Sequence, residues 1–439
     1  MKKTMKKAMS LALAADMTCG LATGCSSGKK APETQPAAGG AARESQESQE
    51  SQAASAGEPV TITFWDGNWQ EEVWPEVEAK WNEEHPEIKV EAEFQADLAN
   101  DKYMLALKNG TAPDVMSCAI DWVTTFGSAG LLAPMDDFAA KDSFDLSQFV
   151  PGAIDADTVE GKLYGLPFRT ETYVLFYNKD LLEAAGYTEA PKTWDEVKEI
   201  AAACTKDDVY GYGLCGTNYS NMSFQYITML RSNGGEILNE DNTQSALNTE
   251  AAVNTAQIYK DLQAYAPASL LENDNIANRT LFASGKVAMY CSGIYDLEVI
   301  KETNPDLNFA CAMIPTTTGA DSERGTILGG WAAAIAGCSK NQQAAWEFVK
   351  FLTRPDIAAI YTPTFTGTAD IAARYADYPS DIIQPNIDAL EYARALPAVK
   401  NIVGIRQAMM DHLQPLLSDD MSAAEASALL DQAANELLK

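Results

Sequence analysis

The chain has 439 residues, of which 46% are hydrophobic and 9% aromatic, so it can form a large packed core and two or three domains. Its formal net charge of −30 argues against binding to nucleic acid or anionic lipid headgroups, because like charges repel. Only two histidines are present, which leaves little material for a histidine-based catalytic triad or zinc site.

The first 25 residues have the pattern of an export signal. Four lysines precede a short apolar run at Met9–Ala15, and Leu21–Cys25 then resembles a lipoprotein cleavage box, in which the cysteine is lipidated after cleavage. Cys25 is therefore the predicted lipidation site. Two departures leave a plain secretory signal as the alternative: Asp16 interrupts the apolar stretch directly after Ala15, and the leucine stands one place too early. No run approaches the 18 apolar residues of a membrane-spanning helix.

Residues 26–57 form a second non-globular segment. They contain ESQESQESQ together with Pro, Ala and Gly, and have no apolar periodicity. Such a composition predicts a disordered linker, because it cannot bury enough apolar surface to offset the entropy lost on folding.

Folded structure is predicted to begin near Pro59, with strands and helices in alternation. Residues 60–64 and 88–94 alternate as strands do, and a third strand opens at 112–116. A helix is expected from about Trp69 to Glu84, with Trp69 on its core face, and another over 102–109. This β-α-β-α-β order favours a doubly wound parallel sheet.

Ligands of such sheets bind beyond the carboxyl ends of the strands. Five residues lie at these ends and become candidate contacts: Trp65, Asp66, Asn68, Asp121 and Trp122. Each has a simpler alternative. Trp65 could be ordinary core, and Asp66 and Asp121 could cap the helices that follow them.

The most informative run is GKLYGLPFRTETYVLFYNKDLLEAAG, residues 161–186. Its start suits a hairpin, Pro167 predicts a break, residues 173–177 predict a buried strand, and Asn178 predicts a helix cap. Arg169 and Glu171 lie between the break and the strand. They form either an internal ion pair or the polar wall of a ligand cleft.

This run resembles the crossover segment of the extracellular solute-binding proteins of ABC importers, in the group that binds sugars. The family shows a similar G-K-x-Y-[GA]-x-P, a short polar stretch, an apolar strand and Y-N-K-D-L-[LF]-x-x-A-G. Residues 279–289, which lead into the loop at 292–295, and residues 327–335 resemble later family segments. In the last of these, GG-[WY], the aromatic commonly stacks on the ligand. Residues 362–367 match the family poorly.

The resemblance implies an α/β, two-lobe periplasmic-binding-protein-like fold (type II). Each lobe is a mostly parallel sheet flanked by helices, and the ligand cleft lies between them. By analogy, lobe 1 comprises residues 58–167 and 325–360, and lobe 2 comprises residues 168–324 and 361–439. The predicted ligand contacts are Trp65, Asp66, Asn68, Asp121, Trp122, Arg169, Glu171, Tyr173, Phe224, Tyr295, Gly330 and Trp331.

The expected function is carbohydrate capture for an ABC import system, without catalysis, cofactor or metal. The expected partners are a sugar or oligosaccharide and the permease subunits. The protein is expected to be a monomer, lipid-anchored on the extracellular face of the membrane. An alternative is a secreted glycosidase that uses Asp66 and Glu171 as its carboxylate pair. A surface adhesin would predict repeats or a sandwich pattern, and neither is visible.

Overall fold

The computed structural model describes residues 59–96, 98–362, 364–368, 375 and 378–439. The predicted signal peptide, the predicted linker and Cys25 lie outside the described residues. In the part of the chain that is described, no helix has both the length and the hydropathy needed to cross a bilayer.

Helices and strands alternate along much of the chain. The strands are β1 (Val60–Gly67), β2 (Ile88–Gln95), β3 (Val115–Ala119), β4 (Thr158–Val159), β5 (Lys162–Leu163), β6 (Gly165–Asn178), β7 (Tyr210–Gly213), β8 (Val287–Gly293), β9 (Phe309–Ala312), β10 (Thr326–Ile335), β11 (Phe365–Thr366) and β12 (Ala393–Arg394). The α-helices are α1 (Trp74–Glu84), α2 (Asn100–Asn109), α3 (Ile120–Ser128), α4 (Asp136–Asp142), α5 (Pro151–Ala156), α6 (Lys179–Ala184), α7 (Trp194–Cys204), α8 (Tyr219–Ser232), α9 (Glu250–Leu262), α10 (Asn275–Ala283), α11 (Asp296–Thr303), α12 (Gln342–Leu352), α13 (Pro355–Tyr361), α14 (Ser380–Tyr392), α15 (Ile402–Leu417) and α16 (Ala423–Leu437).

One large sheet has the strand order β2-β1-β3-β10-β6-β8-β7, with β9 and β11 also paired to β6 and β12 paired to β10. β1 is parallel to β2 and β3, and β7 is parallel to β8. The long strands β6 and β10 are antiparallel to each other, and β10 is antiparallel to β3. The predicted α/β class is confirmed. The sheet is parallel at its two flanks, β1–β3 and β7–β8, and antiparallel where β6 and β10 pair with each other and with these flanks.

The predicted break at Pro167 is wrong, because β6 runs without interruption through this residue. Pro167 faces Ala332 of β10, and the pairing shifts register between Trp331 and Ala332. A bulge tolerates proline within a sheet, since proline has no N–H to donate to the ladder. β6 therefore pairs with β10 through its first part and with β8 and β9 through its last part.

The apolar side chains of β6 divide between the two ends of the sheet. Leu166 and Phe168 pack with side chains from β1, β3, α1 and α12. Leu175 packs with α7, α8, α9 and α15, and Phe176 packs on the opposite face with α10 and α14. A further cluster, on the other face of β3 and β10, contains Trp122. We call the pair of clusters around β1, β3 and β10 the N-terminal clusters, and the pair around β8 the C-terminal clusters.

The helix predicted from Trp69 begins later, at Trp74. Pro75 stands in its first turn, where a missing N–H is harmless and a fixed φ favours helix initiation. Residues 68–70 form a separate 3-10 turn. Trp69, predicted as core, is 47% exposed, whereas Trp81 further along the helix is buried.

Candidate functional site

Five aromatic side chains form a continuous row on the N-terminal side of the sheet. Trp331 contacts Trp69 and Trp122 at ring-centroid distances of 5.3 and 5.6 Å, both edge to face. Trp122 in turn contacts Tyr103 at 5.7 Å, and Tyr103 contacts Trp65 at 5.7 Å. The contacts are edge to face or tilted, so no two rings of the row stack in parallel.

Strand register explains why this row forms. Trp331 on β10 is paired with Ala119, the last residue of β3. The chain then enters α3, which presents Trp122 two residues beyond its start. Trp65 belongs to β1, which runs parallel to β3 and ends at the same edge. Trp65 and Trp122 therefore lie at or just beyond the ends of β1 and β3, beside Trp331, and their role as ligand contacts stays a prediction.

Gly330 precedes Trp331 and allows two strands to approach closely. Its φ is +150°, and a Cβ at this position would lie 2.2 Å from the carbonyl oxygen of Arg169. A Cβ at Gly329 would lie 3.0 Å from the ring of Phe224. The space kept free at Gly330 is thus filled by the backbone of β6, which fixes Trp331 beside Arg169.

Arg169 and Glu171 form an ion pair on β6. Nη2 and Nε of Arg169 donate to the same carboxylate oxygen of Glu171 at 2.7 and 3.1 Å. Both side chains are buried, and pairing offsets much of the cost of removing each charge from water. The guanidinium also lies 5.7 Å from the ring of Tyr295. The sequence left a choice between an ion pair and a polar wall, and the ion pair is present.

Three further predicted residues lie together on the C-terminal side. The hydroxyls of Tyr173 and Tyr295 are 2.9 Å apart, and the rings of Tyr173 and Phe224 are 5.9 Å apart. Asn275 donates to the Tyr295 hydroxyl at 3.1 Å. Tyr173 is buried, whereas Tyr295 and Phe224 are half-buried and keep part of their ring surface accessible.

Asp66 lies at the end of β1 and is 1% exposed. One of its oxygens accepts from the backbone N–H of Gly67 at 2.6 Å, and the other accepts from the hydroxyl of Tyr361. Burial raises the pKa of Asp66 to about 6, although both hydrogen bonds favour the charged form. Asn68, two residues after Asp66, is exposed at the start of the turn that carries Trp69.

Asp121 has a partner that the sequence did not suggest. Its carboxylate accepts from Nη1 of Arg406, and both side chains are almost fully buried. Arg406 belongs to α15, 285 residues further along the chain. The guanidinium also lies 4.4 Å from the ring centroid of Phe224. Sequence reasoning missed Arg406 because it lies in a helical tail without a motif.

The structure therefore places Trp65, Asp66, Asn68, Asp121 and Trp122 at or just beyond the ends of β1 and β3. Arg169, Glu171, Tyr173, Gly330 and Trp331 lie on β6 and β10, and Phe224 and Tyr295 pack against Tyr173. The structure adds Trp69, Tyr103, Tyr361 and Arg406, each identified by contacts with a predicted residue. Proline at position 75 was a usable signal for Trp69, since it marks a later helix start. Among the described residues, no group of three His, Cys, Asp or Glu side chains is placed to hold a metal ion.

Residues 66–359 match the family model of the bacterial extracellular solute-binding proteins. The chain belongs to this family. It is 30% identical over 338 residues to a putative binding protein of Brucella abortus (strain 2308), covering 72% of this chain and 80% of the relative. It is 25% identical over 363 residues to the maltotriose-binding protein of Pyrococcus abyssi, covering 81% of this chain and 76% of the relative.

Solved structures agree with this assignment. A solute-binding protein of an ABC transporter from Thermotoga lettingae, bound to α-D-tagatose, superimposes with a TM-score of 0.78 at 28% identity over 87% of this chain and 100% of that one. The GacH receptor of Streptomyces glaucescens, solved unliganded and with acarbose, gives a TM-score of 0.76 at 27% identity, covering 87% of this chain and 98% of the receptor chain.

Proposed function

We propose that this solute-binding protein captures a sugar or oligosaccharide and delivers it to the permease of an ABC import system. The observation that carries the proposal is the row of indole rings formed by Trp69, Trp331 and Trp122, set beside the buried Arg169–Glu171 pair. The named ligands of similar proteins, maltotriose, tagatose and acarbose, support a carbohydrate.

The proposed binding chemistry follows from the two surfaces of a sugar. Its apolar C–H face would lie against an indole, and we assign Trp331 and Trp65 to this role because both are half-buried. Its hydroxyl groups would meet charged or amide groups, for which we propose Asp66, Glu171 and Asn68. Such contacts hold an uncharged ligand by shape and hydrogen bonds.

We further propose that the ligand lies in a cleft between two lobes, residues 58–167 with 325–360 and residues 168–324 with 361–439. Separate N-terminal and C-terminal clusters support two lobes, although Phe168 and Tyr361, at the start of the two lobe 2 segments, pack in an N-terminal cluster. β6 and β10 would be the crossings between the lobes. Tyr173, Phe224 and Tyr295 would face the ligand from lobe 2. Contacts from both sides would favour the closed form, which the permease would recognise.

We also propose that the protein is a monomer, anchored through a lipid on Cys25 to the extracellular face of the membrane. The linker over residues 26–57 would have a root-mean-square reach of about 30 Å, enough to let the binding unit move above the membrane. No covalent step, cofactor or metal enters the proposed cycle. The glycosidase alternative is weakened by the ion pair, because Glu171 is already held by Arg169.

A carbohydrate panel tests the function. Purified protein is screened by thermal shift against maltotriose, diacetylchitobiose, tagatose and acarbose, and stabilising sugars are titrated by calorimetry. We expect saturable binding with the sugar recovered intact by chromatography. Release of hydrolysis products would favour the enzyme, and no binding to any carbohydrate would contradict the proposal.

A further inference from the structure

The Asp121–Arg406 pair joins helices that belong to different clusters. Arg406 is on α15, whose Ile405 and Met409 pack into the C-terminal clusters, while Val403 of the same helix also contacts the cluster that contains Trp122. Asp121 is in the first turn of α3, whose Trp122 packs into the N-terminal clusters. This ion pair therefore connects the two sides of the molecule through fully desolvated charges.

Arg406 is held in place by α8 independently of Asp121. Nε donates to the hydroxyl of Ser223 at 3.0 Å, and Nη2 donates to the hydroxyl of Ser220 at 2.7 Å. The guanidinium lies over the ring of Phe224 at 4.4 Å. α8 and α15 pack in the same C-terminal cluster. Hence α8, on the C-terminal side, holds the guanidinium of Arg406 in position. Asp121, on the N-terminal side, supplies the carboxylate that neutralises its charge.

The energetic consequence depends on whether the two sides are in contact. When they are apart, water hydrates the carboxylate and the guanidinium separately. When they meet, both charges lose water, and each compensates the other. If the charge of Asp121 is removed, the guanidinium of Arg406 is buried without a counter-charge in the closed form. In the open form water hydrates it, so the open form bears no such cost. A neutral residue at position 121 would therefore shift the equilibrium towards the open form.

We propose that Asp121 and Arg406 are positioning residues, which set the affinity for the ligand by stabilising the closed arrangement of the lobes. The inference rests on the proposed function, since it assumes a cleft that closes on its ligand. It assigns Asp121, predicted from the sequence as a ligand contact, to the contact between lobes instead. Arg406 acts on the ligand only through this contact.

Small-angle X-ray scattering of the full chain without sugar tests the proposal. Asp121→Asn should have a larger radius of gyration than the parent protein. The matched control is Asp142→Asn, because Asp142 binds Lys350 and both residues pack on the N-terminal side. The control should change thermal stability without changing the radius of gyration. Equal radii for Asp121→Asn and the parent would overturn the proposal.

A second variant protects the test against misfolding. Arg406→Gln removes the other charge and should also expand the protein, whereas the double variant should expand it by less than the sum of the single changes. Circular dichroism confirms that each variant is folded. Additive expansion in the double variant would show that the two residues act separately and would overturn the proposal.

Titration with maltotriose separates this inference from the proposed function. If the parent binds, Asp121→Asn should bind about 5- to 150-fold more weakly, the range usual for coupling between a site and a conformational change. At saturation its radius of gyration should return to that of the liganded parent. Unchanged affinity would contradict the positioning role. A parent that binds no sugar would contradict the proposed function, while the sugar-free scattering comparison would still decide the ion pair.

Discussion

Replacing Asp66 by asparagine should remove a pH-dependent loss of stability that burial imposes on this carboxyl. Asp66 is 1% exposed, and burial raises its pKa from the ordinary 3.8 to about 6. The native state therefore holds this proton more tightly than the unfolded chain. The stabilisation is complete below pH 3.8 and is lost as pH rises through about 6. This pKa shift corresponds to a loss of about 3 kcal/mol in the free energy of unfolding from below pH 3.8 to well above pH 6. About 1.4 kcal/mol of this loss falls between pH 5 and pH 8.

Asparagine keeps the shape of the side chain and can still hydrogen-bond to Gly67 and Tyr361. The free energy of unfolding, measured with urea at several pH values, gives the difference between variant and parent. We expect this difference to change in favour of the variant by about 1.4 kcal/mol from pH 5 to pH 8. Measuring a difference cancels the titration of unaffected groups.

Asp142→Asn supplies a control of opposite sign. The hydrogen bond from Lys350 holds the pKa of Asp142 below its ordinary value, so this carboxylate stabilises the fold at neutral pH and loses that contribution on acidification. Its asparagine variant should fall behind the parent as pH rises towards the ordinary value of 3.8, and the difference should then stay constant from pH 5 to pH 8. A pH-independent difference for Asp66→Asn would show that the buried carboxyl titrates as it does in water, and would refute the reasoning.

Three other predictions concern the sugar, the strand crossing and the membrane. Trp331→Ala should weaken sugar binding by about 1–3 kcal/mol in calorimetry, because it removes a large flat contact surface; an unchanged Kd would eliminate Trp331 as a contact. Gly330→Ala should lower the free energy of unfolding in urea by about 1–3 kcal/mol, since its Cβ would collide with the Arg169 carbonyl. Stability equal to that of the parent would mean that β6 and β10 can separate at Gly330. Cys25→Ser should move the protein from the membrane to the soluble fraction; detergent-dependent extraction of the variant would argue against a lipid at this residue.

Local structure was largely predictable from neighbouring residues. The helix cap predicted at Asn178 is present, and Thr193 and Glu196 form a capping box at the start of α7. The hairpin before β6 and the buried strand at residues 173–177 are also present. These features depend on hydrogen bonds and periodicities within a few residues, which a sequence displays directly.

The candidate site was only partly predictable. The rule that ligand residues follow strand ends identified Trp65 and Trp122, and family resemblance identified Trp331. Trp69 was misplaced because its four-residue spacing continued the apolar stripe of α1, although Pro75 sets the start of that helix. A periodic pattern describes which face a residue would occupy in a helix, without deciding whether the helix includes it.

The α/β class, most element positions and membership in a solute-binding family could be predicted from the amino-acid sequence, because these depend on local patterns and a long motif. The partners of the charged groups became known only from the folded chain. The fold joins Asp121 to Arg406 and Asp66 to Tyr361, and it carries β6 through Pro167 by a register shift in the pairing of β6 with β10. Such pairings depend on which distant segments meet when the sheet assembles, and the residues nearby in the chain do not encode them.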